Sequence, residues 1–423
     1  MIFRLDDYGV QQNTVQTKEI QQILDEASEK GGMTVVIPRG LYLTGTLNLR
    51  TASLYLEKGA ILKGSHDWSD YHANGFRHNE MRECISLLYS MEASDVKISG
   101  EGTIDLSSEA FYDSTRPCIP EDGHEYSDVQ KEECPRYHEY RPTQPIFFHH
   151  CSHISVEGIR IINAPCWTMS FNQCEDIRIT DLTICNDPVI PNNDGMHFCG
   201  CRDVIVRGCN IEAGDDCIAL SGITDWDIPC ENITVSDCVM TSCSKAISIG
   251  YMHSIVRNVT ITNCVITESQ RGIAIMSCRG TGLVEHVMIN NLRIDTRIHA
   301  GNWWGNGEPI CLVGCYHNYD AYLDKTPDRD QKINIRDIHF QNISCSGENV
   351  IAFIGENDNI QNIYVDQLTF EHKKSANRYL KGDRCIDVSP SEKKVTVPEN
   401  CGYIYMEGCR NVCLNQVDEK CSM

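Results

Sequence analysis

The sequence reads Asp176-Ile-Arg-Ile, then Asp203-Val-Ile-Val, Asn232-Ile-Thr-Val and Asn258-Val-Thr-Ile. One unit therefore recurs, in which a polar residue is followed by apolar, variable and apolar positions. These four copies start 27, 29 and 26 residues apart, and further copies begin at residues 95, 153, 286, 337, 362 and 411. Short strand-like runs at this period, with no helices between them, are typical of a parallel β-helix, whose coils bury their apolar faces against one another.

Residues at the same offset within a coil should face the same way. Cys209, Cys238, Cys264 and Leu292 each lie five positions after the first apolar residue of their unit. We therefore expect them to form an inward ladder in which the free thiols behave as small apolar groups. None of the 24 cysteines belongs to two matched C-x₂-C pairs, so the sequence predicts structural cysteines rather than a zinc site.

One helix is expected, before the first coil. Ile20, Ile23, Leu24 and Ala27 have helical spacing, and the pattern predicts an amphipathic helix over residues 17–30. A β-helix leaves apolar surface and unpaired strand edges at its end, so this helix should cap the solenoid. Residues 1–423 are predicted to form a single all-β domain. Two irregular, aromatic-rich segments, residues 66–145 and 301–323, are predicted to be insertions that form the walls of a cleft.

The charge of the chain excludes several partners. It has 59 acidic and 37 basic residues among 423, a formal net charge of −22. No Lys/Arg run appears, which argues against nucleic acid and anionic membranes as partners. No window is apolar enough to span a membrane, and the first residues do not read as a signal peptide, so we expect a cytoplasmic protein, with a removed signal peptide as the alternative. The oligomeric state is not indicated.

Three aspartates are the strongest candidates for catalysis. Asp194 lies in Asn-Asn-Asp-Gly, and Asp215 and Asp216 lie in Gly-Asp-Asp, one predicted coil later. Stacked coils would bring the three carboxylates together. Like charges so placed raise one another's pKa, which favours one protonated acid beside ionised bases.

These two motifs resemble the Asn-Thr-Asp and Gly-Asp-Asp motifs of glycoside hydrolase family 28, the polygalacturonase and rhamnogalacturonase group. The resemblance extends over nearly the whole chain, including Arg141-Pro142 and Asn163-Ala-Pro-Cys-Trp. It implies a right-handed, pectin-lyase-like parallel β-helix and an inverting O-glycosyl hydrolase that needs no metal or organic cofactor. It further implies that Asp215 is the general acid, and that Asp194 and Asp216 hold and deprotonate the attacking water.

The chain departs from the family at the substrate-binding residues. Lys245 stands where the family has a histidine, and Ala274-Ile-Met276 stands in place of an Arg-Ile-Lys whose cations grip galacturonate. Arg271 is a candidate to replace one of these cations. Lys245 is predicted to point its charge at substrate or at Asp215, and a solvated turn lysine is the alternative. The resemblance, with these cations missing, therefore implies a divergent enzyme acting on pectin-type oligosaccharides rather than on plain polygalacturonate. The missing signal peptide favours short imported oligosaccharides, and hence exo action, with the two insertions closing one end of the cleft.

Further substrate contacts are predicted from position. His197 follows Asp194 by three residues and is predicted to face the cleft. His253, in the turn after the Ile247–Gly250 run, is a candidate for the imidazole that is missing at position 245. Trp303, Trp304 and Glu308 lie in a Gly-rich segment suited to stacking against sugars and binding hydroxyls. For each of these residues a purely structural role is the alternative.

Two other function classes use the same scaffold. A polysaccharide lyase would abstract a proton beside a uronate carboxylate, commonly with calcium. A non-catalytic β-helix would bind carbohydrate without cleaving it. The three aspartates favour hydrolysis over both.

Overall fold

The computed structural model describes residues 2–78, 82–222, 228–317, 332–375, 377, 380, 382 and 384–420. Its core is a parallel β-helix, as the repeat predicts. One face is an 11-stranded sheet in which every neighbouring pair is parallel. Its strands are Leu47–Asn48, Leu88–Met91, Ile146–His149, Met169–Asn172, Met196–Cys199, Ile218–Ser221, Lys245–Ile249, Arg271–Met276, Ile310–Gly314, Ile351–Gly355 and Ile404–Glu407.

The remaining faces of the solenoid are built from a 21-stranded sheet. Its strands are Ile2–Arg4, Thr34–Ile37, Gly40–Thr44, Ser53–Leu56, Ala60–Gly64, Lys97–Gly100, Thr103–Asp105, Ser152–Glu157, Arg160–Ile162, Glu175–Thr180, Thr183–Cys185, Arg202–Arg207, Asn210–Ala213, Cys230–Ser236, Val239–Ser242, Ile255–Thr262, Val265–Ser269, Leu283–Thr296, Asn334–Gly347, Ile360–His372 and Cys409–Lys420.

The polar residue that opens each unit makes a turn. Asp203, Asn232 and Asn258 all have a left-handed backbone, with φ of 57°, 60° and 57°. Asn and Asp tolerate this conformation better than other residues with a β-carbon. Their side chains also join successive coils, since Asn232 donates to Asp203 and Asn258 donates to Asn232, at 2.9 and 3.1 Å. Asp203 therefore has a structural role in the turn that begins its repeat unit.

The predicted inward ladder is confirmed. Cys209, Cys238, Cys264 and Leu292 are each at most 3% exposed and belong to the main apolar core. The capping helix is also confirmed, and it spans Thr17–Glu29. Its buried residues are Ile20, Ile23, Leu24 and Ala27, the four that the spacing singles out.

The interval 66–145 is not one insertion, which corrects the prediction. Leu88–Met91 pairs with Ile146–His149 in the 11-stranded sheet, while Lys97–Gly100 and Thr103–Asp105 pair with neighbouring coils. A complete coil thus separates two insertions. The first holds the antiparallel pair Ala73–His78 and Arg82–Ile85; the second holds Tyr112–Pro117, Arg136–His138 and the helix Asp128–Glu133.

Short elements complete the described chain. They are the 3-10 helices Leu5–Tyr8, Trp68–Asp70 and Ser108–Ala110, and the antiparallel pair Cys385–Ile386 and Val395–Thr396. The predicted insertion 301–323 is also corrected, because Ile310–Gly314 is a strand of the 11-stranded sheet. Residues 318–323 of this interval lie outside the described residues. No helix in the described part of the chain has the length and apolar character needed to cross a membrane.

Candidate active site

One row of side chains runs along an edge of the 11-stranded sheet. Met196 pairs with Ile218, and Ile218 pairs with Ile247. The residues two positions earlier are Asp194, Asp216 and Lys245, which therefore occupy equivalent places on three successive coils. By the same register, Trp167 lies one coil before them, and Arg271 and Glu308 follow on the next two coils.

The glycine of Gly-Asp-Asp allows the coils to approach at this point. A β-carbon on Gly214 would lie 2.4 Å from the carbonyl oxygen of Ile190 and 2.8 Å from Oδ1 of Asn193. The Asn193 oxygen also accepts a hydrogen bond from the Gly214 N–H. The two motifs are thus joined directly through Asn193 and Gly214.

Asp194 is buried beside an imidazole. Its Oδ2 lies 2.9 Å from Nε2 of His197, and both residues are less than 5% exposed. The ring of Trp167 packs edge-on against His197, with centroids 3.9 Å apart. These contacts hold the carboxylate in place. His197 thus lies in the site, and its contact with substrate stays a prediction.

Asp216 is paired with Lys245. The Nζ of Lys245 lies 3.0 Å from Oδ1 of Asp216 and 4.6 Å from the ring centroid of Trp304. The lysine is 4% exposed and Asp216 is 6% exposed, so the pair is removed from water. The alternative of a solvated turn lysine is therefore wrong.

Asp215 is the most exposed of the three carboxylates, with intermediate burial. Asn192 donates to its Oδ2 at 3.4 Å. Asn192 is held in turn by Arg141, which donates to Asn192 Oδ1 at 2.8 Å and to the carbonyls of Pro191 and Pro165 at 2.6 and 3.1 Å. Sequence reasoning did not assign Arg141 to the site, although Arg141-Pro142 belongs to the family likeness.

Burial changes the protonation of this cluster. It raises the pKa of Asp216 to about 7, although the charge of Lys245 acts in the opposite direction. Burial also raises the pKa of Asp194 well above its ordinary value, and the neighbouring charge of Asp215 adds to this effect. Burial by itself lowers the pKa of Lys245, but the charges of Asp216 and Asp215 outweigh it and the pKa is raised. The cluster therefore combines a charged lysine with Asp216, whose carboxyl binds a proton near pH 7, and with Asp194, whose pKa is also raised.

The three aspartates open into a cavity of about 130 Å³. Its other lining residues are Trp167, Asn192, His197, Ala219, Leu220, Ser221, Lys245, Ser248, Gly250, Tyr251, Met276 and Trp304. The volume is below the roughly 300–1,000 Å³ of drug-sized ligand pockets. The cavity is therefore small, and Trp304 and Tyr251 form part of its wall.

Both ends of the outer face of this sheet are covered. On the side of the earlier coils, Phe76 packs on Phe147 and His149, with ring centroids 5.0 and 4.6 Å apart, and Ser170 on the next strand is fully buried. On the side of the later coils, an apolar cluster covers the strands. It joins Ala274, Met276, Cys311, Val313, Ala352 and Ile354 of the sheet to Ile386, Val388, Val395 and Val397. The cavity lies between these two covers.

Two predicted substrate contacts are corrected. Arg271 and Glu308 are 1% and 0% exposed and form a buried ion pair, with Nη2 and Oε2 3.0 Å apart. Arg271 also donates to the carbonyl of Asp387 at 2.7 Å. Because their polar atoms are used within the protein and neither residue lines the cavity, they are not placed to contact substrate.

Of the remaining predicted substrate contacts, only Trp304 lines the catalytic cavity, and Trp303 and His253 do not. Trp304 lines the catalytic cavity, whereas Trp303 is 5% exposed and donates its indole N–H to the carbonyl of Glu133 at 3.1 Å. His253 lies in the turn after the strand Lys245–Ile249, partly buried, and is not among the residues that line the cavity. It therefore does not supply an imidazole to the cavity wall, which corrects that expectation.

One group in the site has the donors for a metal ion. Asp194, His197 and Asp216 each place one ligand atom so that all three lie within 4.8 Å of one another. Carboxylate and imidazole donors suit several divalent metals. The sequence predicts no metal here, and chelation tests that prediction.

The protonation of this cluster predicts the pH profile. If Asp216 helps to deprotonate the attacking water, as the family resemblance implies, it must be ionised, and its pKa is raised to about 7. We therefore expect kcat/KM to fall as the pH drops below about 7. The Lys245→Met variant lacks the charge that lowers the pKa of Asp216, so its acidic limb should move to higher pH. A pH–rate profile of both proteins measures this, and an unshifted limb would contradict the role of Lys245.

The sequence of this chain is similar to those of known proteins. The model of glycosyl hydrolases family 28 matches residues 29–380. The chain belongs to this family. Among curated relatives, a probable polygalacturonase of Vitis vinifera is 24% identical over 79% of this chain and 67% of its own length. A probable exopolygalacturonase B of Aspergillus flavus is 25% identical over 76% of this chain and 69% of its own.

Solved family 28 structures share the fold. A hyperthermoactive exopolygalacturonase from Thermotoga maritima has a TM-score of 0.69 at 20% identity, covering 98% of this chain and 92% of that one. An endo-xylogalacturonan hydrolase from Aspergillus tubingensis has a TM-score of 0.57 at 15% identity, covering 99% and 93%. The chain is therefore a family 28 glycoside hydrolase with a right-handed parallel β-helix, in a family that acts on pectin.

Proposed function

We propose that this family 28 hydrolase removes a terminal uncharged sugar from short pectin-type oligosaccharides, with inversion at the anomeric carbon. The observation that carries the proposal is the small cavity at Asp194, Asp215 and Asp216, covered on both sides, with Met276 where the family has a cation.

The three carboxylates have distinct roles in this proposal. Asp215, the most exposed of them, protonates the glycosidic oxygen as its bond to the anomeric carbon breaks. Water held by Asp194 and Asp216 attacks that carbon from the opposite face and gives up a proton to this pair. Inversion requires the acid and the base to be roughly 6.5–9.5 Å apart, so that the water fits between them.

An uncharged sugar is favoured by the lining of the cavity. Among the described residues, Lys245 is its one lysine or arginine, and it is already paired with Asp216. Met276 lines the wall, and Ala274 lies under the apolar cluster of the later coils. A carboxylate bound here would lose its hydration without gaining a free cation, which is costly.

Exo action is favoured by the two covers. A polymer chain that crossed the site in both directions would have to displace Phe76 from Phe147, or Val388 and Val395 from the later strands. A chain end needs no such displacement. Several relatives are described as exopolygalacturonases, which agrees with this proposal.

The test is product analysis with a panel of pectin-derived and neutral oligosaccharides. We expect release of one uncharged monosaccharide from the chain end, initially as the inverted anomer. Random internal cleavage would contradict exo action, and free galacturonate from homogalacturonan would contradict the uncharged sugar. An unsaturated product absorbing in the ultraviolet, lost on adding chelator, would indicate a lyase.

The cytoplasmic location stays a prediction.

Restoring the family's cation should change the substrate preference. The Met276→Lys variant places an amine at the cavity wall, and we expect a gain of about tenfold in kcat/KM on galacturonate oligomers, since a charged hydrogen bond contributes roughly 1.5–3 kcal/mol. The Met276→Leu variant is the matched control and should show no gain. Equal rates for both variants on these oligomers would contradict the assignment of Met276.

A further inference from the structure

A buried arginine joins three segments at the border of the catalytic cavity. Arg141 is 9% exposed. Its Nη1 donates to the hydroxyl of Tyr112 in the second insertion, and to the carbonyls of Pro165 and Pro191 at 3.1 and 2.6 Å. Its Nη2 donates to Oδ1 of Asn192 at 2.8 Å. The guanidinium therefore links the insertion to equivalent loops on two successive coils.

The acceptors around this guanidinium are uncharged. Within the described part of the chain, its hydrogen bonds go to carbonyl, hydroxyl and amide oxygens. Burying a charge is costly when no opposite charge is paired with it. A hydrogen bond from a charged donor is, however, stronger than one between neutral groups. The guanidinium thus fixes its acceptors more firmly than a neutral donor would.

The contact with Arg141 decides which end of the Asn192 side chain faces Asp215. Because a guanidinium has donors and no acceptor, it meets the amide oxygen of Asn192. The amide nitrogen then donates to Oδ2 of Asp215 at 3.4 Å. This distance is long, as catalytic hydrogen bonds often are before substrate binds. Without the guanidinium, the amide can turn over and present its oxygen to Asp215.

The backbone on both sides of this contact is held in place. Asn192 has a left-handed backbone with φ of 59°, a conformation that Asn tolerates. The carbonyl of Asp215 accepts from the hydroxyl of Ser242, on the next coil, at 2.7 Å. Among the residues that the structure describes, Asn192 is the one hydrogen-bond partner of the Asp215 carboxyl. The direction of that carboxyl therefore depends on Asn192.

We propose that Arg141 is a positioning residue for the general acid. It holds the amide nitrogen of Asn192 against Oδ2 of Asp215, so that the acid carries its proton on Oδ1. That proton passes from Oδ1 to the glycosidic oxygen as the bond to the anomeric carbon breaks. Arg141 does not line the cavity and acts through Asn192. This inference rests on the proposed function, in which Asp215 is the acid.

A double-mutant cycle tests the proposal. Arg141→Gln is measured in the unmodified enzyme and in the Asp215→Asn variant, with the panel oligosaccharide that the unmodified enzyme hydrolyses fastest. In the unmodified enzyme we expect kcat to fall about thirtyfold, a part of what general acid catalysis contributes. In the Asp215→Asn variant kcat should fall no more than about twofold, because no acid remains to be oriented. KM should change little in either protein.

A second cycle leaves Arg141 in the protein. Asn192→Asp keeps an oxygen for Arg141 to bind, and its contacts with the carbonyls of Pro165 and Pro191 are retained. The new side chain presents an oxygen to Asp215 where the amide presented an N–H. We expect a similar loss of kcat, and again little further loss when Asp215→Asn is added. If Arg141→Gln does not fold, this cycle decides.

The matched control is Arg136→Gln. Arg136 also donates to carbonyls, those of Lys131 and Cys134 at 2.9 and 3.0 Å, but these lie within its own insertion. Its kcat should stay within about twofold of that of the unmodified enzyme. Calorimetric melting of all variants shows which of them are folded.

The outcomes separate this inference from the proposed function. The inference is overturned by an unaltered kcat in Arg141→Gln or Asn192→Asp, or by an equal loss of kcat with and without Asp215→Asn, which a purely structural role predicts. A raised KM at constant kcat overturns it as well. In these cases the proposed function stands. Full activity of Asp215→Asn, or hydrolysis of no oligosaccharide in the panel, overturns the proposed function and this inference with it.

Discussion

Replacing Asp215 with asparagine is expected to lower kcat by about a thousandfold, within the range that general acid catalysis contributes. The amide keeps the shape of the side chain and its contact with Asn192 but cannot donate a proton to the leaving oxygen. Substrate binding should therefore persist. Steady-state kinetics, together with calorimetric titration of the variant, separates the loss of kcat from any loss of affinity.

The matched control is Asp203→Asn. Asp203 opens a repeat unit, has a left-handed backbone and accepts a hydrogen bond from Asn232 on the next coil. Asparagine occupies the equivalent position at residues 232 and 258, so the change should leave both kcat and the melting temperature nearly unaltered. A similar loss of kcat in the two variants would show that Asp215 acts through the fold. Full activity of Asp215→Asn would leave the non-catalytic, carbohydrate-binding function as the better explanation.

Replacing Glu308 with alanine is expected to destabilise the protein by about 3–5 kcal/mol, the cost of leaving one partner of a buried ion pair alone. Arg271 would lose its carboxylate partner while 1% exposed. The backbone N–H groups of Asn306 and Asp387, which donate to Glu308 at 2.7 and 3.3 Å, would lose their acceptor as well. Calorimetric melting of the variant measures the effect.

Two further variants show whether this effect is structural. Glu231→Ala removes a partly exposed ion pair with Arg257 and should cost no more than about 1 kcal/mol. Replacing the buried pair together, with Arg271→Met and Glu308→Leu, should recover much of the stability, because no isolated charge remains. If Glu308→Gln lowered kcat/KM while the melting temperature stayed constant, Glu308 would contact substrate after all.

The elements that the sequence predicts well depend on local periodicity. Ile20, Ile23, Leu24 and Ala27 are the buried residues of the capping helix, because helical spacing places them on one face. Cys209 and Cys238 are buried because their offset from the turn is the same on each coil. In both cases the burial of a residue follows from its spacing along the chain within one regular pattern.

The catalytic row follows from the same rule applied across coils. Asp194 and Asp216 precede paired strands by two residues, so one register places them side by side. The same register, extended along the sequence, also places Lys245, Arg271 and Glu308 in the row. It does not indicate that Lys245 pairs with Asp216 while Arg271 pairs with Glu308, since a side chain's partner depends on its direction and on the space available.

The parts that escaped prediction depend on contacts between residues far apart in the chain. The sequence around Val388 and Val395 does not indicate that these residues cover Val313 and Ile354, at the later-coil end of the outer face of the sheet. Nothing near Asp387 indicates that its carbonyl accepts a hydrogen bond from Arg271 on a distant coil. Irregular segments have no period from which a neighbour can be derived, so their packing follows from the shapes of the surfaces that they meet.

The β-helix, its capping helix and the meeting of Asp194, Asp215 and Asp216 were accessible from the sequence, because a solenoid repeats one local pattern and stacks equivalent residues. The size of the cavity, its covered ends and the burial of Arg271 with Glu308 emerged only from the folded chain. These features arise where loops from distant coils pack together, and local spacing does not specify such packing. The motif thus indicates the bond-breaking chemistry, whereas the surrounding loops determine the size and lining of the cavity.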